Sequence, residues 1–362
     1  LRRTWKLNDA DLEALAIGAA ILGTGGGGNP YLGKLRARAL LRQGYAVRVL
    51  PFDALEDDDV VVSVGGIGAP VVGIEKIEKG DECYRAMRAL EAYIRRRVTA
   101  LIPAEVGGSN SIEPLIAAAY ANLPVVDADG MGRAFPEVQM CTYFIYGARP
   151  YPAALADEKG NTVILGKVQD MYWLEKLART VAVDMGAAAG FALPPMQGEE
   201  VRRTAVPHTL TQALGLGRAV LEARARRKNP IERVLEVAKG VLLFAGKVVD
   251  VQRRIEKGFA RGQVRIEGLE AFKGSSLVLE IQNENLIARR DGEVVATLPD
   301  LITVLDLETA EPITTETVRY GFRVAVLGLP AHPRLKTPRA LEVVGPRAFG
   351  YDLDYRPLEG RV

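Results

Sequence analysis

The run Asp59-Val60-Val61-Val62-Ser63-Val64 does not alternate apolar with polar side chains. Successive side chains of a strand point to opposite faces, so a continuous apolar strand is hidden on both. Hiding both faces of a sheet takes a layer of helices above and another below. This one run therefore points to the centre of an α/β layer structure, and the surrounding sequence supplies the helices.

Asn8 can cap a helix from about Asp9 to Leu22, with Leu12, Leu15, Ala16, Ala19 and Leu22 on one face. Asn29-Pro30 reads as N-cap and first position of a second helix reaching Gln43. Short strands at Val47–Leu50, Thr99–Pro103 and Pro124–Asp127 are separated by helical patterns near Asp81–Arg97 and Ile112–Asn122. Ala153–Val168, turning at Lys159-Gly160-Asn161, reads as antiparallel strands. The Ala- and Gly-containing stretch from about Asp170 to Ala189 reads as a helix, with two more near Thr209–Arg227 and Pro230–Lys239.

The pattern changes at Gly240. From there to Leu329 short strands follow one another with few helices, and Asp291-Gly292 between two of them signals a hairpin. The expectation is an α/β N-terminal domain with a parallel or mixed sheet (residues 1–239) and a β-barrel-like second domain (240–330). The tail (331–362), loop-like with four prolines, is expected to pack back on the first domain.

Composition limits the function classes. A chain of 362 residues suits two domains, and 48% hydrophobic with 25% charged residues is globular usage. The 47 basic and 45 acidic residues leave a net charge of +2, which gives no electrostatic reason to expect nucleic acid. The basic runs Arg95-Arg96-Arg97 and Arg227-Lys228 read as solvated helix faces. Cys83 and Cys141 read as small buried hydrophobes, with no disulfide framework, so a cytoplasmic compartment is expected. No apolar stretch approaches the roughly 20 residues that span a bilayer, and no signal-peptide pattern opens the chain, so no membrane partner is expected. Many Arg with few Gln, Cys and His point toward a thermophile.

Three glycine-rich loops, at Gly65-Gly66-Ile67-Gly68, Glu105–Asn110 and Gly130–Gly132, lie near carboxyl ends of expected strands, where α/β sheets bind ligands. The run Thr24-Gly25-Gly26-Gly27-Gly28 joins them. Its N–H groups, with Asn29 at the start of a helix, would cradle an anionic group; the alternative is a flexible helix–helix connection. It lacks both the G-x-G-x-x-G spacing after a strand and a Gly-Lys-Ser/Thr, so dinucleotide and Walker-type sites are not indicated.

The densest polar cluster is Asp127–Glu137. Asp127 and Asp129 share a face in extended backbone, Gly130 and Gly132 allow close approach, and Arg133 can hold a carboxylate bidentately. Paired carboxylates can work as acid and base; the alternative is a strand-end Asp capping the next segment with Arg133 as its partner. Glu105, following a buried strand, suits a general base or metal ligand, with Asn110 as a ligand contact, while Ser109 or Ser111 reads as a helix cap. Glu75-Lys76 reads as a charge pair, at the cleft mouth or on the surface. His208 and His332 are the only histidines, and His208 reads as a cap or packing residue. A histidine-rich zinc centre is excluded, although carboxylates could still hold a divalent metal. No G-x-S-x-G elbow is present.

Five segments resemble the motifs of one family, the S-methyl-thiohydantoin desulfurase family associated with hydantoinases and oxoprolinases. They are Gly23–Gly33, Gly68-Ala69-Pro70-Val71-Val72 with Glu75-Lys76, Glu105–Ser111, Val126–Glu137 and Gly345–Asp352. The resemblance covers essentially the whole chain. It implies an α/β N-terminal domain, a β-barrel-like second domain and action on hydantoin-type rings; no catalytic residue is carried over from it. The reading that follows is a hydrolase of an S-alkylated thiohydantoin, releasing a thiol, or of a related cyclic amide. In it Asp127, Asp129 or Glu105 serve as acid and base, and Arg133 with Thr24–Gly28 orients the substrate. The alternative is a non-catalytic, ring-binding partner of a hydantoinase-type subunit. A homo-oligomer is compatible with either.

Overall fold

The computed structural model describes residues 4–68, 79–256 and 259–358; Ala69–Val72 and Glu75-Lys76 lie outside the described residues. In chain order the first strands are β1 (Trp5–Lys6), β2 (Arg48–Leu50), β3 (Val60–Gly68), β4 (Ala100–Pro103), β5 (Pro124–Val126) and β6 (Ala128–Asp129). They are followed by β7 (Ala153–Ala156), β8 (Thr162–Leu165), β9 (Ala188–Ala192), β10 (Met196–Gln197) and β11 (Val206–Pro207). β6 and β11 pair with each other; the rest form one sheet in the order β1-β2-β5-β4-β3-β9-β7-β8, with β10 on β3. The centre β2-β5-β4-β3 is parallel and the flanks are antiparallel, so the sheet is mixed. Val61, Val62 and Val64 are fully buried on β3, as a strand covered on both faces must be.

The helices are α1 (Asp9–Leu22), α2 (Pro30–Arg42), α3 (Glu82–Ile94), α4 (Glu113–Ala121) and α5 (Thr142–Ile145). After them come α6 (Met171–Asp184), α7 (Gly198–Thr204), α8 (Thr209–Ala225), α9 (Pro230–Ala238) and α10 (Pro338–Val344). α1 begins where Asn8 places it: Asn8 Oδ1 accepts from Asp11 N at 3.0 Å, and Asn8 N donates back to Asp11 Oδ2 at 3.1 Å. α1 packs on α8 with backbones nearly touching. A Cβ on Gly18 would stand 1.8 Å from the Ala213 carbonyl oxygen, and one on Gly217 1.7 Å from that of Ala14.

Two expectations change. The helix expected to run to Ala189 stops at Asp184, and β9 occupies Ala188–Ala192, closing the gap between β3 and β7. Small residues there serve close packing, since a Cβ on Gly190 would lie 2.4 Å from the backbone of Glu82. The tail is not all loop: Thr337 caps α10 by accepting from Ala340 N at 3.2 Å. The same region touches the first sheet's helices, where Tyr146 Oη donates to the Arg334 carbonyl at 2.5 Å.

The second sheet takes β12 (Val241–Glu256), β13 (Phe259–Gly268), β14 (Ser276–Gln282), β15 (Glu284–Arg290), β16 (Glu293–Thr297), β17 (Leu301–Asp306) and β18 (Arg323–Leu329). Its order is β16-β15-β14-β13-β12-β18-β17, antiparallel throughout. Irregularities at Leu242/Phe244, Val248/Asp250, Glu280/Ile281 and Ala288/Arg289 increase its twist. The result is a curled half-barrel around Phe244, Val248, Ile266, Leu279, Ile302 and Val326. Asp291 and Gly292, at φ 51° and 90°, turn β15 into β16 as a two-residue hairpin requires. Among the described residues no helix is long and apolar enough to cross a membrane.

Candidate functional site

The carboxyl ends of β3 and β4, the start of α2 and the turn from β14 to β15 enclose a cavity of about 500 Å³. That volume falls within the roughly 300–1,000 Å³ of small-molecule sites, and the position is the one at which α/β sheets bind ligands. Tyr31, Leu32, Ile67, Met131, Phe135 and Phe191 supply apolar wall; the buried carboxyls on it are Glu105, Glu284, Glu113 and Glu175, the last two paired with Arg36 and Arg179, and half-buried Asn110 lies beside Glu105.

Glu105 leaves the end of β4 and is 5% exposed. Its Oε1 accepts from Asn110 Nδ2 at 2.6 Å and its Oε2 from Phe135 N at 3.1 Å. Asn110 is itself fixed by accepting from Gly66 N at 2.7 Å. Burial pushes the Glu105 carboxyl up to about 8, against these two hydrogen bonds and the Arg133 charge; Asp129 nearby adds to the rise. Glu284, first residue of β15, enters from the second sheet and is 2% exposed. Its Oε2 is buried without a hydrogen-bond partner among the described residues. Burial, then the neighbouring Glu105, holds its carboxyl well above the ordinary range, while Arg133 pulls it down.

Arg133 lies behind both acids, fully buried and outside the cavity lining. Its Nε donates to Ala134 O (2.9 Å), its Nη1 to Pro299 O (3.0 Å) and Asp300 O (2.9 Å), and its Nη2 to Thr24 Oγ1 (2.9 Å). Burial brings its guanidinium down to about 10, with Glu284, Asp300 and Glu105 working in the opposite sense. With four of its five N–H groups bound to protein oxygens and its side chain outside the lining, Arg133 is a fixed charge behind the wall and not a hand that grips a ligand.

The other expected site residues are divided by the fold. Gly27, Gly28, Asn29, Asn110 and Glu105 line the cavity; Thr24, Gly25, Gly26, Asp127, Asp129 and Gly130 do not. Asp127 turns to the start of α8, accepting from Thr211 N at 3.0 Å and Thr211 Oγ1 at 2.6 Å, beside His208. Asp129 accepts from Val106 N at 2.6 Å and Gly132 N at 2.9 Å, and burial pushes its carboxyl up to about 7 against those bonds. Gly130 is a spacer whose N donates to Ala104 O at 3.0 Å. These residues hold the loops that carry Glu105.

The glycine run is built mainly for backbone approach. A Cβ on Gly26 would stand 2.1 Å from Glu284 Oε1, and one on Gly27 2.3 Å from the Gly107 carbonyl oxygen. Gly25 O accepts from Thr315 N at 2.8 Å and Thr24 O from Asn285 N at 2.8 Å, tying the loop to the second sheet. Among the described residues no acceptor engages the N–H of Gly27 or Gly28, so these two remain donors on the cavity wall, next to the start of α2.

Sequence reasoning missed Glu284 and its neighbours Asn283, Thr317 and Arg319. The signal was the polar run Gln282-Asn283-Glu284-Asn285 between two apolar strands without a glycine, which reads as a solvated turn until the fold buries it. Cys83 and Cys141 are buried and not disulfide-bonded, and burial raises the Cys141 thiol well above its ordinary range. Among the described residues no group of three or more His, Cys, Asp or Glu is arranged to hold a metal ion.

Comparison with known proteins matches the S-Me-THD-like N-terminal domain to residues 10–167 and the S-Me-THD-like C-terminal domain to residues 169–358. The junction follows β8, so the second match includes β9 and β10 of the first sheet as well as the whole half-barrel. A crystal structure of a protein from Chromobacterium violaceum is similar, with 28% identity over 98% of this chain and 100% of that one, at a TM-score of 0.84. No curated protein matches the chain.

Proposed function

This chain belongs to the S-Me-THD-like family, and from that premise we propose that it hydrolyses an S-alkylated thiohydantoin to a hydantoin and a thiol. One observation carries the reading: two buried carboxyls from different sheets, Glu105 and Glu284, line one cavity with no cation in ion-pair contact among the described residues and the buried Arg133 behind them. The charge on Glu105 raises the Glu284 carboxyl, so Glu105 ionises while Glu284 keeps its proton. Such a pair is an acid beside a base.

The reaction adds water to the ring carbon bonded to two nitrogens and the sulfur. Glu105, which accepts two N–H bonds that favour its charged form, takes one proton from the attacking water. Glu284, lacking such donors on Oε2, protonates the adjacent ring nitrogen. A carbon–oxygen bond forms and the carbon–sulfur bond breaks. The sulfur leaves as a thiol with the proton taken up by Glu105, and the remaining hydroxyl returns its proton to Glu284 as it becomes the hydantoin carbonyl. Gly27 and Gly28 N–H, Asn110 and the apolar wall orient the ring.

The test is thiol release from an S-methyl-thiohydantoin by purified protein. Turnover lost in both Glu105→Gln and Glu284→Gln, with the fold retained, supports the reading. Full activity in either variant refutes the pair. Absence of turnover with retention of a hydantoinase subunit in pull-down favours a ring-binding partner instead.

A further inference from the structure

The cavity is larger than the ring chemistry needs. Its volume of about 500 Å³ falls in the range of sites that hold drug-sized ligands, which have many more non-hydrogen atoms than the ring. An S-methylated thiohydantoin ring carries about eight. The rest of the space belongs to a substituent on the ring, and the wall says what that substituent ends in.

Three guanidinium groups line the cavity: Arg36, Arg179 and Arg319. Arg36 Nη2 lies 2.6 Å from Glu113 Oε1. Arg179 pairs with Glu175, and its Nη2 donates to Pro136 O at 3.0 Å. Arg319 is exposed and, among the described residues, has no carboxylate within ion-pair distance. Glu105 and Glu284 are buried, so the cavity has an acidic closed part and a cation where it meets solvent. A ligand that presents an amidine-like ring to the acids and an anion to Arg319 matches that polarity; the reverse orientation sets anion against carboxyl.

We propose that the ring substituent ends in a carboxylate bound by Arg319, so that the substrates are S-alkyl thiohydantoins with an acidic side chain. This rests on the hydrolase reading above. Arg319 has a planar fork of donors free for bidentate contact with a carboxylate. Because the contact is exposed, it discriminates chiefly through KM and weakens as salt is added.

Two substrates test the assignment, one with a carboxyethyl group on the ring and one with the uncharged carboxamidoethyl analogue. The native enzyme is expected to prefer the carboxylate by about tenfold or more in kcat/KM, mostly through KM. Arg319→Gln is expected to bring that ratio close to one. Arg323→Gln, which removes a cation paired with Glu308 away from the cavity, keeps the ratio. A native preference for the carboxamide, or a preference that survives in Arg319→Gln, overturns the assignment. If neither substrate releases thiol, the hydrolase reading fails, and calorimetric titration with the two corresponding hydantoins still decides the matter. Tighter carboxylate binding that Arg319→Gln abolishes then upholds the Arg319 site, and equal or absent binding overturns it.

Discussion

Glu105 and Asp129 are buried carboxylates in adjacent loops, each accepting backbone N–H bonds, yet they face opposite ways. Asp129 turns inward, to Val106 and Gly132, and does not line the cavity. Glu105 turns outward, held by Asn110 and Phe135, with its remaining lone pairs toward a void and a second carboxyl near it. Both are raised by burial, Glu105 to about 8 and Asp129 to about 7. A raised carboxyl therefore does not by itself separate chemistry from construction. What separates them is whether the group has capacity left over and something to spend it on.

The largest expected effect is on the outward side. Glu105→Gln should lower thiol release by roughly 10²–10⁴-fold, the usual range for a positioned general base. In the native enzyme, activity should climb with pH and level off above about 8, where Glu105 is ionised. A flat profile across that window would remove Glu105 from the base role.

On the inward side, Asp129→Ala strands the N–H groups of Val106 and Gly132. At about 1–3 kcal/mol for each of the two stranded donors, denaturant unfolding should show a loss of roughly 2–6 kcal/mol. The protein that remains folded should keep its kcat within a few fold; a kcat that collapses without a loss of stability would erase the contrast drawn here.

Glu284→Gln separates the two kinds of burial by pH. A carboxyl raised in the folded state holds its proton there after the unfolded chain has released it, so native stability falls as pH rises above about 4.5, the ordinary value for glutamate. The slope is at most about 1.4 kcal/mol per pH unit. The variant lacks this slope, so its melting temperature should gain on that of the native protein as pH goes from 5 to 8. Parallel curves would mean Glu284 is not held protonated. The smallest effect should belong to Asp127→Ala, which removes the cap contacts at the start of α8 and should cost about 1 kcal/mol with kcat unchanged.

Much of the scaffold was legible in the sequence, because its signals are local. Asn8 and its partner Asp11 set the start of α1; the uninterrupted Val60–Val62 run demanded a covered strand; Asp291-Gly292 demanded a hairpin. Where a residue type serves two purposes, local reading failed. Ala188 and Ala189 looked like the end of a helix because alanine favours helices, yet they begin a strand whose small side chains let α3 approach. The four glycines at 25–28 looked like an anion nest, and two of them, Gly26 and Gly27, are mainly surfaces for the Glu284 side chain and the Gly107 backbone.

The amino-acid order by itself determined where most helices and the buried central strands fall, that a curled antiparallel sheet follows an α/β layer, and that the carboxyl ends of the first sheet's strands are furnished with glycine and acid. Only the folded chain decided which acids do the facing. Glu105 and Glu284 lie far apart in sequence, and their proximity depends on the second sheet docking onto the Thr24–Gly26 backbone. Backbone geometry propagates over a few residues and can be read locally. The electrostatic environment of a carboxyl is set by whatever the fold brings within a few ångströms, and no stretch of sequence contains that.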